Sequence, residues 1–281
     1  MPASPTHRYA VFGHPIAHSL SPVIHPLFAA QFAITLSYEA IDAAPADFAA
    51  AVGRFFDQGG AGANVTLPHK AAAFALAERH TSAATRAGSA NVLSRGMDGH
   101  LEAHNTDGSG LVRDLQTRQG IALDGLRVLL LGAGGAARGV AGNLLDAGVA
   151  ELTIANRSPA GALALAAQLN GAAHVRACGW HALAELGAFD LILHATSAGV
   201  LGVALALPPS LVSADTCCYD LSYGNAAQGF LAWARQAGAT HACDGLGMLV
   251  ETAAESFERW HGVCPATDPV YAALRERHPL V

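Results

Sequence analysis

The chain has 281 residues, 52% of them apolar and 14% charged, with a formal net charge of -6. So much apolar surface can offset the entropy of ordering the chain, which excludes an intrinsically disordered protein. The sparse Lys and Arg leave no basic footprint for nucleic acid. The positive mean hydropathy of +0.30 comes from alanine and from short bursts such as 128–131, and no stretch reaches the ~20 apolar residues of a membrane span.

The first seven residues carry proline and polar groups without an apolar core, so they do not read as a secretory leader. The five cysteines have no CxxC spacing, and their odd number suits thiols in a reducing cytoplasm better than a disulfide framework. His14/His18 and His100/His104 are each four apart, but Pro15 argues against a helix at the first pair and the second lies in a strand-like segment. No Cys or carboxylate completes a ligand set at a recognisable spacing, so no metal is expected.

In chain order, a short apolar strand is expected over 8–12, followed by the turn Gly13-His14-Pro15. A helix over 22–32, a strand over 36–41 and a helix over 46–58 come next. The glycines of 59–62 read as a turn before a strand over 63–67, and another helix follows Pro68, because proline suits a first helical position. A strand-like segment then runs into Asn105-Thr106-Asp107, with a helix expected over 110–119.

A second alternation begins near Leu123. The continuous apolar run 127–131 reads as a buried central strand. Further strands are expected over 151–155, 174–178, 189–194, 216–221 and 240–243, with helices over 135–147, 159–169, 228–237 and 247–260. The pattern predicts an α/β protein of two domains with mostly parallel sheets.

Gly132-Ala133-Gly134-Gly135-Ala136-Ala137 directly follows the central strand and opens a helix. It fits GxGxxA, the dinucleotide fingerprint. The first glycine permits the tight turn, and the second lets backbone approach a pyrophosphate attracted by the helix N-terminus. An NAD site usually places an acidic residue after the next strand, but this chain has Asn156-Arg157-Ser158. A guanidinium pairs with a 2′-phosphate that a carboxylate would repel, so the predicted cofactor is NADP. The plainer alternative is a solvated Arg157 beside a Ser158 that caps the helix from Pro159.

Three polar clusters stand out earlier in the chain. Ser19 and Ser21 precede a helix, a placement suited to a carboxylate, although Ser21 could simply cap that helix. In Asn64-Val65-Thr66-Leu67-Pro68-His69-Lys70, Asn64 and Thr66 would share a strand face and Lys70 would fall in the first helical turn. A cation there opposes the helix dipole, a placement poor for stability alone and suggestive of acid–base work. In Asn105-Thr106-Asp107-Gly108, Asp107 could act in chemistry or cap the following helix.

With these motifs in order, the sequence resembles the shikimate dehydrogenase family over essentially its whole length. The matching stretches are 9–13, 15–22, 62–70, 105–108, 132–139, 156–158, 195–199 and 244–250. The resemblance implies a substrate domain of residues 1–106, completed by C-terminal helices in 245–281, and a Rossmann NADP domain of residues 107–244. It implies an NADP-dependent oxidoreductase that interconverts 3-dehydroshikimate and shikimate in aromatic amino acid biosynthesis. Lys70 and Asp107 would be the catalytic pair. Ser19 and Ser21 would hold the substrate carboxylate with Tyr223, while Thr66, Asn91, Asp107 and Thr252 would face the ring hydroxyls. Gly132, Gly134, Gly135, Ala136, Asn156, Arg157, Ser158, Thr196, Gly245 and Met248 would bind NADP. A cytoplasmic enzyme, with a homodimer as its assembly, is the expectation.

The chain departs from the family pattern at Thr252, where glutamine is usual, and at His14, Val92, His194 and Gln228-Gly229. The paired serines favour shikimate over quinate. Two further readings are a quinate-using or NAD-using relative and a non-catalytic dinucleotide-binding relative.

Overall fold

The structure is a computed structural model that describes residues 7–169 and 174–280. Residues 1–6, on which most of the leader reading rests, lie outside the described residues. The chain divides into two units, Met1–Gly110 with Val250–Ala272 and Leu111–Leu249 with Ala273–Val281.

The first unit runs β1 (His7–Gly13), α1 (Ser21–Ala30), β2 (Leu36–Asp42), α2 (Phe48–Asp57), β3 (Gly60–Val65) and α3 (Lys70–Leu76). It continues with β4 (Arg79–His80), α4 (Ser82–Ala87), β5 (Val92–Arg95), β6 (Leu101–His104) and the start of α5 (Asp107–Arg113). The sheet order is β2-β1-β3-β5-β6-β4. β1 is parallel to β2 and β3, and β4 to β6, while β5 is antiparallel to both β3 and β6.

Helix α2 shows why the sequence takes this form. Phe48, Ala51, Val52, Phe55 and Phe56 recur at i, i+3, i+4, i+7 and i+8 and are all buried. Phe48 and Phe55 meet Phe12 of β1 edge-on, with ring centroids 6.0 and 5.7 Å apart. Burying each such ring is worth about 1.5–3 kcal/mol.

The glycines expected to form a turn at 59–62 instead lie largely inside β3, which begins at Gly60. Their missing side chains make room for rings: a Cβ on Gly62 would stand 2.4 Å from Trp260 Nε1, and one on Gly60 2.2 Å from the Phe55 ring. β3 ends at Val65, one residue before Thr66, whose backbone N–H still donates to the Phe12 carbonyl of β1 at 2.9 Å.

The second unit holds a π-helical turn (Asp114–Arg118), β7 (Arg127–Leu131), α6 (Gly135–Asp146), β8 (Glu151–Asn156), α7 (Pro159–Gln168), β9 (Val175–Gly179) and β10 (Leu191–His194). Then come β11 (Cys217–Asp220), α8 (Gln228–Gln236), β12 (His241–Cys243), α9 (Leu246–His261) and α10 (Asp268–Arg277), the last two helices running through both units. The helix expected over 110–119 therefore starts at Asp107 and widens into the π turn, where buried Asp114 bonds Arg118 and the Tyr219 hydroxyl.

The second sheet is parallel throughout in the order β12-β11-β10-β7-β8-β9. Counted within the unit this is the doubly wound 3-2-1-4-5-6 arrangement, which reverses direction between β7 and β10. Val128 and Leu130 face one apolar core and Leu129 and Leu131 the other, so β7 is covered on both faces. No described helix is long and apolar enough to cross a membrane.

Candidate active site

In the first unit, the turn after β3 delivers Lys70 to the first position of α3. His69, just before it, is buried, stacks on Phe48 at 4.3 Å and bonds the Ala43 carbonyl through Nε2 at 2.8 Å. That anchor fixes the backbone from which Lys70 projects. Lys70 Nζ donates to Asp107 Oδ2 at 2.5 Å, with side chains 15% and 5% exposed. An ion pair shielded to this degree is screened far less than a surface pair.

Asp107 does not spend its carboxylate on capping. Its backbone N–H is taken by Asn105 Oδ1 at 3.0 Å, and Asn105 is itself tied to the Ser89 carbonyl at 3.0 Å. Asn91 Nδ2 donates to Asp107 Oδ1 and to Thr106 Oγ1, both at 2.9 Å, while Asn91 Oδ1 accepts from Thr106 N at 2.9 Å. Both amide hydrogens of Asn91 are thus committed to protein, which leaves a second lone pair on Oδ1 for a ligand.

The network extends further. Thr106 Oγ1 donates to the Thr252 carbonyl at 3.2 Å, which also accepts from Ser256 Oγ at 2.9 Å. Asn64 Nδ2 donates to Ser256 Oγ at 2.9 Å, and Asn64 Oδ1 accepts from Tyr38 at 2.6 Å and lies 3.1 Å from His25 Nε2. Burial lowers the His25 pKa to about 3, so the ring is neutral and donates from Nε2 to Asn64. Burial raises Tyr38 well above its ordinary value, opposed by a side-chain hydrogen bond with Ser21. A hydrogen-bonded path therefore runs from Ser21 to Lys70.

Ser21 opens α1 without capping it, because Leu20 is the cap residue and no side-chain cap bond forms. The Ser19 hydroxyl accepts from Ser21 N at 3.4 Å. His69 and Asn105 stand in the clusters singled out in the sequence but were given no role there, and Tyr38, His25 and Ser256 were not anticipated. Of these three, Ser256 alone left a local signal, one helical turn after Thr252.

In the second unit, Gly132 has φ +116°, and a Cβ there would stand 2.9 Å from the Ala195 carbonyl oxygen. Only glycine takes this conformation without strain. Gly134, by contrast, faces open space, with nothing within 4 Å of a notional Cβ. Gly135 and Ala136 start α6, and Ala137, the next residue of the helix, is fully buried. Asn156 Nδ2 bonds the Ser158 carbonyl at 3.0 Å, and Ser158 makes no side-chain cap bond. Arg157 is exposed and forms no ion pair among the described residues. The capping alternative for Ser158 is thereby removed.

Thr196 Oγ1 lies 2.6 Å from His194 Nε2, and His194 Nδ1 lies 2.7 Å from Asp220 Oδ2. His194 also stacks on Phe230 at 4.9 Å. His194 thus bridges the Thr196 hydroxyl and the buried Asp220 carboxylate. Gly245 packs against the strand end, where a Cβ would meet the Leu221 carbonyl oxygen at 2.4 Å. Met248 N reaches the Tyr219 hydroxyl at 3.3 Å. Tyr223 lies in this unit, half-buried before the short turn Gly224–Ala226.

Comparison with known proteins gives matches over both units. Residues 11–93 match the model of the shikimate dehydrogenase substrate binding domain, and residues 114–203 that of shikimate / quinate 5-dehydrogenase. The chain is 57% identical over 279 residues to the shikimate dehydrogenase (NADP(+)) of Xanthomonas euvesicatoria pv. vesicatoria, covering 99% of this chain and 98% of that one. The crystal structure of an Ael1 enzyme from Pseudomonas putida superposes with a TM-score of 0.87 at 44% identity, covering 96% and 98%. The shikimate 5-dehydrogenase of Thermus thermophilus, in complex with shikimate, superposes at 0.83 with 34% identity, covering 98% and 100%.

Proposed function

The chain belongs to the shikimate dehydrogenase family, and from that premise we propose which of its residues carry the NADP-linked interconversion of shikimate and 3-dehydroshikimate. The observation that carries the assignment is the Lys70–Asp107 contact at 2.5 Å, held from behind by Asn91. In the reductive direction the Lys70 ammonium gives a proton to the ketone oxygen as negative charge builds there. In the oxidative direction the amine takes the hydroxyl proton. Asp107 aims the amine and balances its charge, a positioned acid–base arrangement worth about 10²–10⁴ in rate. Bound NADP supplies the acceptor for the hydride, and its reduced form supplies the donor.

Ser19 and Ser21 take the substrate carboxylate at the N-terminus of α1. Thr66, Asn91, Asp107 and Thr252 bond the ring hydroxyls, which rejects analogues that would leave these groups unpaired. The residues of the second unit fit the cofactor: the open space at Gly134 suits a pyrophosphate beside Gly132, Gly135 and Ala136. Arg157, with Asn156 and Ser158, suits a 2′-phosphate, and Thr196, Gly245 and Met248 suit the nicotinamide. The residues 1–106 with 245–281 form the substrate domain in this reading, and 107–244 the NADP domain.

The cytoplasm suits the free cysteines. A homodimer is the proposed assembly, supported by Val23 and Leu27, exposed one turn apart on α1; sedimentation equilibrium reads it directly.

The test is formation of reduced nicotinamide by the purified chain with shikimate or quinate and NADP or NAD. A shikimate- and NADP-dependent rate is expected. No rate above that of Lys70→Ala overturns the assignment.

A further inference from the structure

Sequence spacing offers no metal ligands, but the parallel register of β11 and β12 gathers three. Cys217 pairs directly with His241 and Tyr219 with Cys243. Side chains two residues apart on a strand share a face, so Cys217, His241 and Cys243 converge on one side of the sheet. Their ligand atoms all lie within 4.8 Å of one another, with both cysteines buried and the histidine half-buried. Around a tetrahedral zinc, with Zn–S about 2.3 Å and Zn–N about 2.0 Å, ligand atoms stand roughly 3.5–3.8 Å apart. Small side-chain rotations therefore close the set, and β12 lies at the sheet edge, where the half-buried imidazole leaves a way in.

We propose that Cys217, His241 and Cys243 form a zinc site that pins the edge strand β12 to β11. Two thiolates, one neutral imidazole and one divalent cation sum to zero charge, the sum a dry site tolerates best. Thiolate and imidazole ligands select zinc over magnesium or calcium. Binding converts two thiols to thiolates, so each zinc taken up releases two protons to solvent. Gln119 Oε1 lies 3.4 Å from His241 Nε2, placed to orient the ring from outside or to complete the shell. The nearby carboxylates Asp114 and Asp244 are each bridged to an arginine, Arg118 and Arg275, and add no net charge.

The test is equilibrium dialysis of the full chain, stripped with a chelator, against micromolar zinc chloride, with cobalt chloride as a spectroscopic substitute. One zinc per chain and a thiolate-to-cobalt charge-transfer band are expected. Cys217→Ser and His241→Ala should each weaken zinc at least about tenfold, while Cys178→Ser and Cys264→Ser should not. Circular dichroism checks that each variant folds. Should Cys217→Ser unfold, His241→Ala at its half-buried position and the cobalt spectrum of the unaltered chain decide. No zinc retained by the unaltered chain, retention unchanged in His241→Ala, or cobalt bound without the charge-transfer band overturns the proposal.

Discussion

The two units prepare their ligand-facing parts in opposite ways. In the first, Lys70, Asp107 and Asn91 are already bonded to one another, and through Thr106, the Thr252 carbonyl, Ser256 and Asn64 they are linked to Tyr38. In the second, the features proposed for the cofactor are largely absences: a glycine turn, the open space at Gly134 and a guanidinium with no carboxylate. A completed polar network holds atoms still for proton transfer. In the proposed reading, the space at Gly134 and the exposed Arg157 receive phosphate.

The largest expected effect attacks the network. Lys70→Ala should cut kcat by about 10²–10⁴ with circular dichroism unchanged, measured as reduced nicotinamide formed. Asn91→Leu should be costly in a second way, because Thr106 N and Asp107 Oδ1 lose their partner inside the protein. A loss of about 1–3 kcal/mol in urea unfolding is expected with the fall in kcat.

The space in the second unit should respond in affinity and not in stability. Arg157→Asp should raise the KM for NADP roughly tenfold or more, about 1.4 kcal/mol per tenfold, and leave NAD nearly unchanged. Gly134→Val should weaken both cofactors alike while urea unfolding stays as it was, since its side chain would enter open space. An unfolding midpoint that falls with affinity would erase the contrast between the units.

These contrasts explain what the sequence made legible. The nucleotide loop is local, with strand, glycines and helix contiguous from β7 to α6, so its pattern is read along the chain. The Lys70–Asp107 pair spans 37 residues and the Asn64–Ser256 bond 192. Their residue types could be singled out, but which atoms meet depends on strand order. Gly60 and Gly62 misled because a turn and a strand packed under aromatic rings both ask for glycine. The hairpin of β5 and β6 went partly unread because its strands are only four residues each. Cys217, His241 and Cys243 could not be grouped without the register of β11 and β12.

The smallest expected effect is in the support beneath the first network. Burial raises Tyr9, stacked on Trp260, from its ordinary value to about 12. The folded state thus favours the neutral phenol. That contribution is intact below pH ~10 and is lost as pH rises toward about 12. Urea unfolding across this alkaline range should show a fall in stability that Tyr9→Phe flattens.

The central claim is that Lys70 and Asp107 act as one unit, and a double-mutant cycle on turnover measures this directly. Residues acting as a unit are non-additive, so Lys70→Ala with Asp107→Ala should be little slower than the worse single variant. Losses that multiply, with each variant folded and shikimate still bound, would contradict the account.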